Sequence, residues 1–156
     1  MRLIIAASGR WKAGNKSTPE RVLYDHYAGR IRCPLELLEI EEKKKYEINT
    51  LKKREGKLLL DLVPDGAVIV ALDEAGKALK SAEFAIKLAN LRDDGEKCII
   101  FMIGGPNGLD DVVKERARLV MSFGTLTWPH LLVRGMLAEQ IYRTECILSG
   151  HPYHRE

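Results

Sequence analysis

The segment His151-Pro152-Tyr153-His154-Arg155-Glu156 places two imidazoles, a phenol, a guanidinium and a carboxylate within six positions. An imidazole titrates near neutrality and moves protons. A phenol donates a hydrogen bond or stacks on a base, and a guanidinium holds phosphate or an anionic oxygen. Chain ends are ordinarily polar and frayed, so a solvated tail is the plainer reading. A second unusual segment, Ile103-Gly104-Gly105-Pro106-Asn107-Gly108-Leu109, argues for a site. Glycines after an apolar run let backbone N–H and C=O groups approach a ligand closely, although such pairs also serve as tight turns.

Other chemistries find little support. Gly104-Gly105-x-x-Gly108 is neither GxGxxG nor a phosphate loop ending in Lys and a hydroxyl residue, which argues against a nucleoside triphosphatase. His151-x-x-His154 with Glu156 has the residue types of a metal set. Such pairs usually sit on a helix with a third ligand fixed nearby, so no metal is expected. There is no GxSxG, and no cysteine has a histidine close in sequence, so covalent catalysis is not indicated. Cys33, Cys98 and Cys146 are odd in number, widely spaced and outside any CxxC, against both a disulfide framework and a zinc ribbon. Cys98, inside an apolar run, reads as a core residue.

A chain of 156 residues, 46% hydrophobic and 30% charged, fits a single globular domain over 1–156. No apolar run approaches a membrane span. The apolar stretch of Met1-Arg2-Leu3-Ile4-Ile5-Ala6-Ala7-Ser8-Gly9 is too short for a signal peptide and reads as a first strand, so the expected compartment is the cytoplasm. Net charge is only +3, but Lys43, Lys44, Lys45, Lys52, Lys53, Arg54 and Lys57 form a basic cluster, with Arg10, Lys12, Lys16 and Arg21 nearer the start. Such a cluster binds phosphate backbones without reading sequence. The alternative is a solvated helix face, since Glu41, Glu42, Glu47 and Glu55 dilute it.

The elements that must position these residues follow from patterning. Residues 3–8, 35–40, 67–72 and 98–103 are apolar strand-like runs, and 119–123 is a further apolar stretch. Helices are expected over 19–28 with Thr18 and Pro19 at its start and Gly29 at its stop, over 47–62 with Gly56 a weak point, from Ser81 as cap to Arg92, near 110–117, and over 130–149. The segment 10–18, with Gly14 and Asn15, should be mobile, and Asp73-Glu74-Ala75-Gly76-Lys77 reads as a polar turn. Apolar strands alternating with helices mean an α/β fold, a parallel sheet covered by helices on both faces. Ligands of such folds bind outside the carboxyl ends of the strands, here loops 72–77, 104–109 and 124–129. Leu132, Val133, Met136, Leu137, Ile141 and Leu148 give the last helix more apolar surface than one side of a small monomer needs, which points to a dimer.

Taken in order, Leu72-Asp73-x-x-Gly76-Lys77, Ser81-x-Glu83-Phe84-Ala85, Ile103-Gly104-Gly105-x-x-Gly108-Leu109, Leu126-Thr127-x-Pro129-His130-x-x-x-Arg134 and the terminal His-Pro-Tyr-His-Arg-Glu resemble the RlmH-type methyltransferases of the SPOUT superfamily. Arg54-Glu55-Gly56 also fits, and the resemblance runs nearly end to end. These bacterial enzymes methylate N3 of a pseudouridine in large-subunit (23S) ribosomal RNA. The resemblance implies a C-terminal trefoil knot, a homodimer, S-adenosyl-L-methionine as cofactor and the ribosome as partner. Its cofactor cradle carries over to Leu72, Asp73, Gly104, Gly105 and the loop Gly124, Thr125, Leu126, Thr127, Trp128 and Pro129. Trp128 departs from the smaller aliphatic residue common in the family; its indole would pack on the adenine or fill the dimer seam.

The imide N3–H of pseudouridine is a weak acid that must lose its proton for the nitrogen to attack a methyl group. His154 is the candidate proton acceptor, Tyr153 a stacking or hydrogen-bonding partner of the base, and Arg155 a ligand for phosphate or the anionic imide. Arg143 is a secondary candidate for RNA contact, together with Lys43, Lys44, Lys45, Lys52 and Lys53. Two other classes stand beside this reading: a non-catalytic RNA- or ribosome-binding protein of the same fold, and a tRNA methyltransferase, which the lack of an appended RNA-binding domain disfavours.

Overall fold

Side chains alternate between two cores along each central strand. The structure, a computed structural model, describes residues 1–12, 14 and 17–155; Asn15, Lys16 and Glu156, named above, lie outside the described residues. In β1 (Arg2–Ser8), Leu3, Ile5 and Ala7 join one core and Ile4 and Ala6 the other. In β4 (Cys98–Ile103), Ile99, Phe101 and Ile103 share the first core, while Cys98, Ile100 and Met102 share the second. A strand buried on both faces has no polar side to display, which is why these runs are continuously apolar. With β2 (Leu35–Ile40), β3 (Val68–Ala78) and β5 (Leu119–Ser122) they form one parallel sheet of order β2-β1-β4-β3-β5.

The first face carries α1 (Pro19–Ala28), α3 (Ser81–Asp93) and α5 (His130–Ser149), through Tyr24, Phe84, Leu88, Leu91, Leu137, Ala138 and Ile141. The second carries α2 (Ile48–Leu60) and α4 (Asp111–Arg116), through Leu59 and Val113. Each Leu, Ile, Val or Phe among them contributes about 1.5–3 kcal/mol when fully buried. Gly56, the expected weak point of α2, is a packing requirement instead: a Cβ there would lie 2.8 Å from Asp110 Cβ, so α2 approaches the start of α4 only without one.

Two local expectations are corrected. Asp73 to Lys77 is not a turn between elements but part of β3, which runs on to Ala78. Leu72 and Lys77 both pair with Met121 of β5, so the four residues between them bulge out while the ladder resumes beyond. Ser81 is the first helical residue, not the cap. Its hydroxyl donates to Gln140 Oε1 of α5 at 2.8 Å, and Glu83 accepts the Lys80 N–H at 2.8 Å in the capping position. The segment expected to be mobile is anchored at its start, because Trp11 packs on the first core and its N–H donates to Glu39 at 3.1 Å.

Candidate cofactor cradle and active site

All five strands run the same way, so the loops after Leu72, Ile103 and Ser122 open at one edge of the sheet. There they enclose a cavity of about 560 Å3, within the range that takes a nucleoside-sized ligand. From β3 come Leu72, Asp73, Glu74 and Ala75; from the loop after β4, Gly104 to Gly108; from the end of β5 and beyond, Phe123, Gly124, Leu126, Thr127 and Trp128; from α5, His130 and Val133. Apolar walls with backbone amides at close range suit a flat base with a polar tail.

Backbone packing shapes the glycine loop. A Cβ on Gly104 would lie 2.6 Å from the Gly108 carbonyl carbon and 2.8 Å from Leu109 N, so the two limbs of the loop touch only because Gly104 has none. Gly105 and Gly108 pair across it, with Gly108 N–H donating to Gly105 O at 3.0 Å. Gly105 differs from Gly104. Its missing Cβ points toward Ser8 Oγ at 3.3 Å and the Glu55 carboxylate at 3.4 and 3.5 Å, behind the cradle. At the bulge, Asp73 Oδ1 accepts the Ala75 N–H at 3.0 Å, and Lys114 Nζ lies 3.8 Å from Asp73 and 3.0 Å from Asp111. Ser122 holds the third loop, donating to Gly124 O at 2.6 Å and accepting Gly124 N–H at 3.0 Å, and Trp128 Nε1 donates to Phe123 O at 3.3 Å.

Of the residues expected in the cradle, Leu72, Asp73, Gly104, Gly105, Gly124, Leu126, Thr127 and Trp128 line the cavity. Thr125 and Pro129 belong to the same loop without lining it; Pro129 caps α5, its carbonyl accepting the Leu132 and Val133 N–H groups. Of the basic cluster, Lys52 lines the cavity, while Lys43, Lys44, Lys45 and Lys53 are exposed away from it. Arg54 pairs with Glu42 at 2.9 Å.

Sequence reasoning assigned no role to His130 or to Arg134, although their four-residue spacing places both on one helix face. Arg134 is completely buried. It pairs with Glu39 of β2, donates to Ser8 O at 3.1 Å and Gly9 O at 2.6 Å, and stacks 4.6 Å from the Trp11 ring. One side chain thus ties the carboxyl ends of β1 and β2 to α5. His130, a turn earlier at the cavity, is held below the ordinary imidazole range by burial and then by the charge of Arg134, which keeps it neutral.

The tail folds back on the C-terminal half of α5. Tyr153 OH donates to Glu139 Oε1 at 2.9 Å and meets Tyr27 OH at 3.1 Å, and its ring packs edge-on to Tyr142 at 4.9 Å. Burial, then these bonds to Tyr27 and Glu139, push its phenol far above the ordinary range, so Tyr153 acts as a donor. Arg143 pairs with Glu139, lies 4.8 Å over the Tyr153 ring and reaches His154 Nδ1 at 3.4 Å. Because guanidinium only donates, Nδ1 accepts in this contact and Nε2 carries the ring hydrogen. Arg155 is exposed. None of these tail residues lines the cavity of its own chain. His130 and Arg143 are separated by about 20 Å along the helix axis, at 1.5 Å per residue.

Among the described residues no group of three or more His, Cys, Asp or Glu is placed to hold a metal ion, and no helix is long and apolar enough to cross a membrane.

Proteins named ribosomal RNA large subunit methyltransferase H are 52% identical in Rhodospirillum centenum, 50% in Paramagnetospirillum magneticum and 45% in Rhodospirillum rubrum, each over 155 residues and 99% of both chains. The family described as predicted SPOUT methyltransferase matches residues 1–154. From its first strand to its histidine-rich tail, the chain belongs to the SPOUT methyltransferase family.

Proposed function

We propose that this chain is an S-adenosylmethionine-dependent methyltransferase acting on N3 of a pseudouridine in 23S ribosomal RNA of assembled ribosomes, as a cytoplasmic homodimer. The observation that carries the reading is the glycine-walled cavity at three parallel strand ends in a SPOUT chain. The printed names of the relatives supply the large-subunit RNA. Family membership brings the C-terminal trefoil knot, in keeping with β5 pairing beside β3 and α5 packing on α1 and α3.

When bound, S-adenosylmethionine supplies an already electrophilic methyl group, so the protein's work is to orient the acceptor and remove its proton. Leu72, Val133 and Trp128 offer apolar walls for an adenine, and the Gly104–Gly108 and Gly124–Trp128 loops offer backbone groups for the polar remainder. The target base, unstacked from the RNA, enters over these loops. His154 takes the N3 proton; to do so it exchanges its Arg143 contact for the substrate, freeing Nδ1. Arg155 and Arg143 bind phosphate or steady the anionic imide, Tyr153 exchanges its Glu139 bond for the base edge, and Lys43, Lys44, Lys45, Lys52 and Lys53 draw in the RNA backbone.

The distance between tail and cradle within one chain supports a site completed by the tail of a second subunit. Leu148, 46% exposed, and the partly buried Leu132, Val133 and Met136 nearer the start of α5 supply apolar surface for that association, whereas Leu137 and Ile141, expected to share in it, are buried in the chain's own core. The test is to incubate purified protein and labelled cofactor with ribosomes from a strain lacking the gene, then digest the RNA for mass spectrometry. One added methyl on one 23S pseudouridine is expected. Label appearing only on tRNA, or on no RNA, would overturn the reading.

A further inference from the structure

Glu55 has no part in the mechanism above, yet it stands directly behind the cradle. A Cβ on Gly105 would meet its carboxylate oxygens at 3.4 and 3.5 Å, so only the Cα of a glycine separates this carboxylate from the loop that faces the cavity. The Ser8 hydroxyl, buried at the end of β1, stands on the same side of Gly105, 3.3 Å from that Cβ position. Glu55 is partly buried, and none of the ion pairs among the described residues includes it. Asp73, the carboxylate on the cavity wall itself, is already offset by Lys114. A partly buried carboxylate without an ion-pair partner is favoured by a cation brought near it, and a cationic ligand in the cavity would be one.

We propose that Glu55 is a specificity-determining residue that weights the cradle toward the positively charged cofactor and away from its uncharged product. The inference rests on the cofactor reading above. S-adenosylmethionine carries a sulfonium cation, whereas the demethylated product S-adenosylhomocysteine carries a neutral thioether and is otherwise the same molecule. A charge one residue deep behind the loop acts on that single difference, favouring exchange of spent product for fresh cofactor. At an effective dielectric near 20, a unit charge within about 12 Å of the sulfonium is worth about tenfold in affinity.

The test measures both ligands by calorimetry on the intact protein and on Glu55→Gln, which keeps shape and hydrogen bonding while removing the charge. S-adenosylmethionine affinity should fall about tenfold with S-adenosylhomocysteine affinity nearly unchanged, and Glu55→Asp should retain most of the preference. Equal weakening of both ligands would mean that Glu55 only props the loop, and an unchanged ratio would mean that its charge does not reach the site; either overturns the proposal. A second arm needs no variant: sinefungin, with an ammonium where the cofactor has its sulfonium, should bind the wild-type protein more tightly than S-adenosylhomocysteine, and the reverse order counts against the proposal. Failure of the wild-type protein to bind any of the three would instead refute the cofactor reading itself.

Discussion

Replacing Arg134 by Met keeps most of the side-chain length and removes the guanidinium from a completely buried site. The change strands the Glu39 carboxylate, which retains only the Trp11 N–H, and leaves the Ser8 and Gly9 carbonyls without their donor. Breaking a buried pair by removing one partner costs about 3–5 kcal/mol. Against a total stability of about 5–15 kcal/mol this is a large share. At about 2–4 °C per kcal/mol for a domain of this size, Tm should drop by about 6–20 °C. Urea unfolding followed by circular dichroism gives the free energy directly, and an unchanged m value would show that the unfolded state is not responsible. Adding Glu39→Gln to Arg134→Met should recover part of the loss, since no charge is then left uncompensated. A loss under about 1 kcal/mol, or a double variant less stable than Arg134→Met, would refute the view that this pair ties β1 and β2 to α5.

Gly104→Ala should open the glycine loop, because the new methyl meets backbone of Gly108 and Leu109 at 2.6 to 2.8 Å, which cannot rotate away; cofactor affinity by calorimetry should fall more than about tenfold, with about 1–3 kcal/mol of stability, and wild-type affinity would show that the loop is not the cradle. His130 has a folded-state pKa below its unfolded value, so the unfolded chain takes up the proton first as pH falls. Its contribution is therefore present above an unfolded pKa of about 6.5 and lost as pH drops toward the folded value. His130→Gln should flatten the decline of stability on the acid side of neutrality, measured by urea midpoints at several pH values, and an unaltered slope would mean that the imidazole is free to protonate.

The central strands were legible because both faces of the sheet are covered, leaving a continuous apolar run and nothing else that such a run could be. The extension of β3 was not: Asp73 to Gly76 look like a turn, and only the backbone of β5 on both sides of the bulge keeps the strand going. Gly56 and Ser81 misled for a related reason. Their meaning lies in Asp110 and Gln140, far away in sequence, and not in helix propensity. In the site, the loops at Gly104 and Gly124 were readable as glycine-rich segments after apolar runs, whereas Arg134 looked like any helical arginine until Glu39 and two carbonyls closed around it. The tail was legible as chemistry but not as geometry, since local sequence does not say that Tyr153 folds back onto Glu139 and Tyr27.

The separation of tail from cradle along α5 calls for a site shared between two subunits, and mixed dimers test that sharing. One subunit carries Leu126→Glu and Thr127→Arg, exposed cavity-lining changes that block the cradle and spare the tail. The other ends at Gly150 and keeps its cradle. Each homodimer alone should fail to transfer labelled methyl to ribosomes in a single turnover. Co-expressed and purified as a heterodimer through two different tags, the pair should regain one working site, close to half of the wild-type yield, because an intact tail then faces an intact cradle across the interface. A heterodimer as inactive as its parents, each of which binds RNA and folds, would show that tail and cradle must belong to the same chain, and would contradict the account.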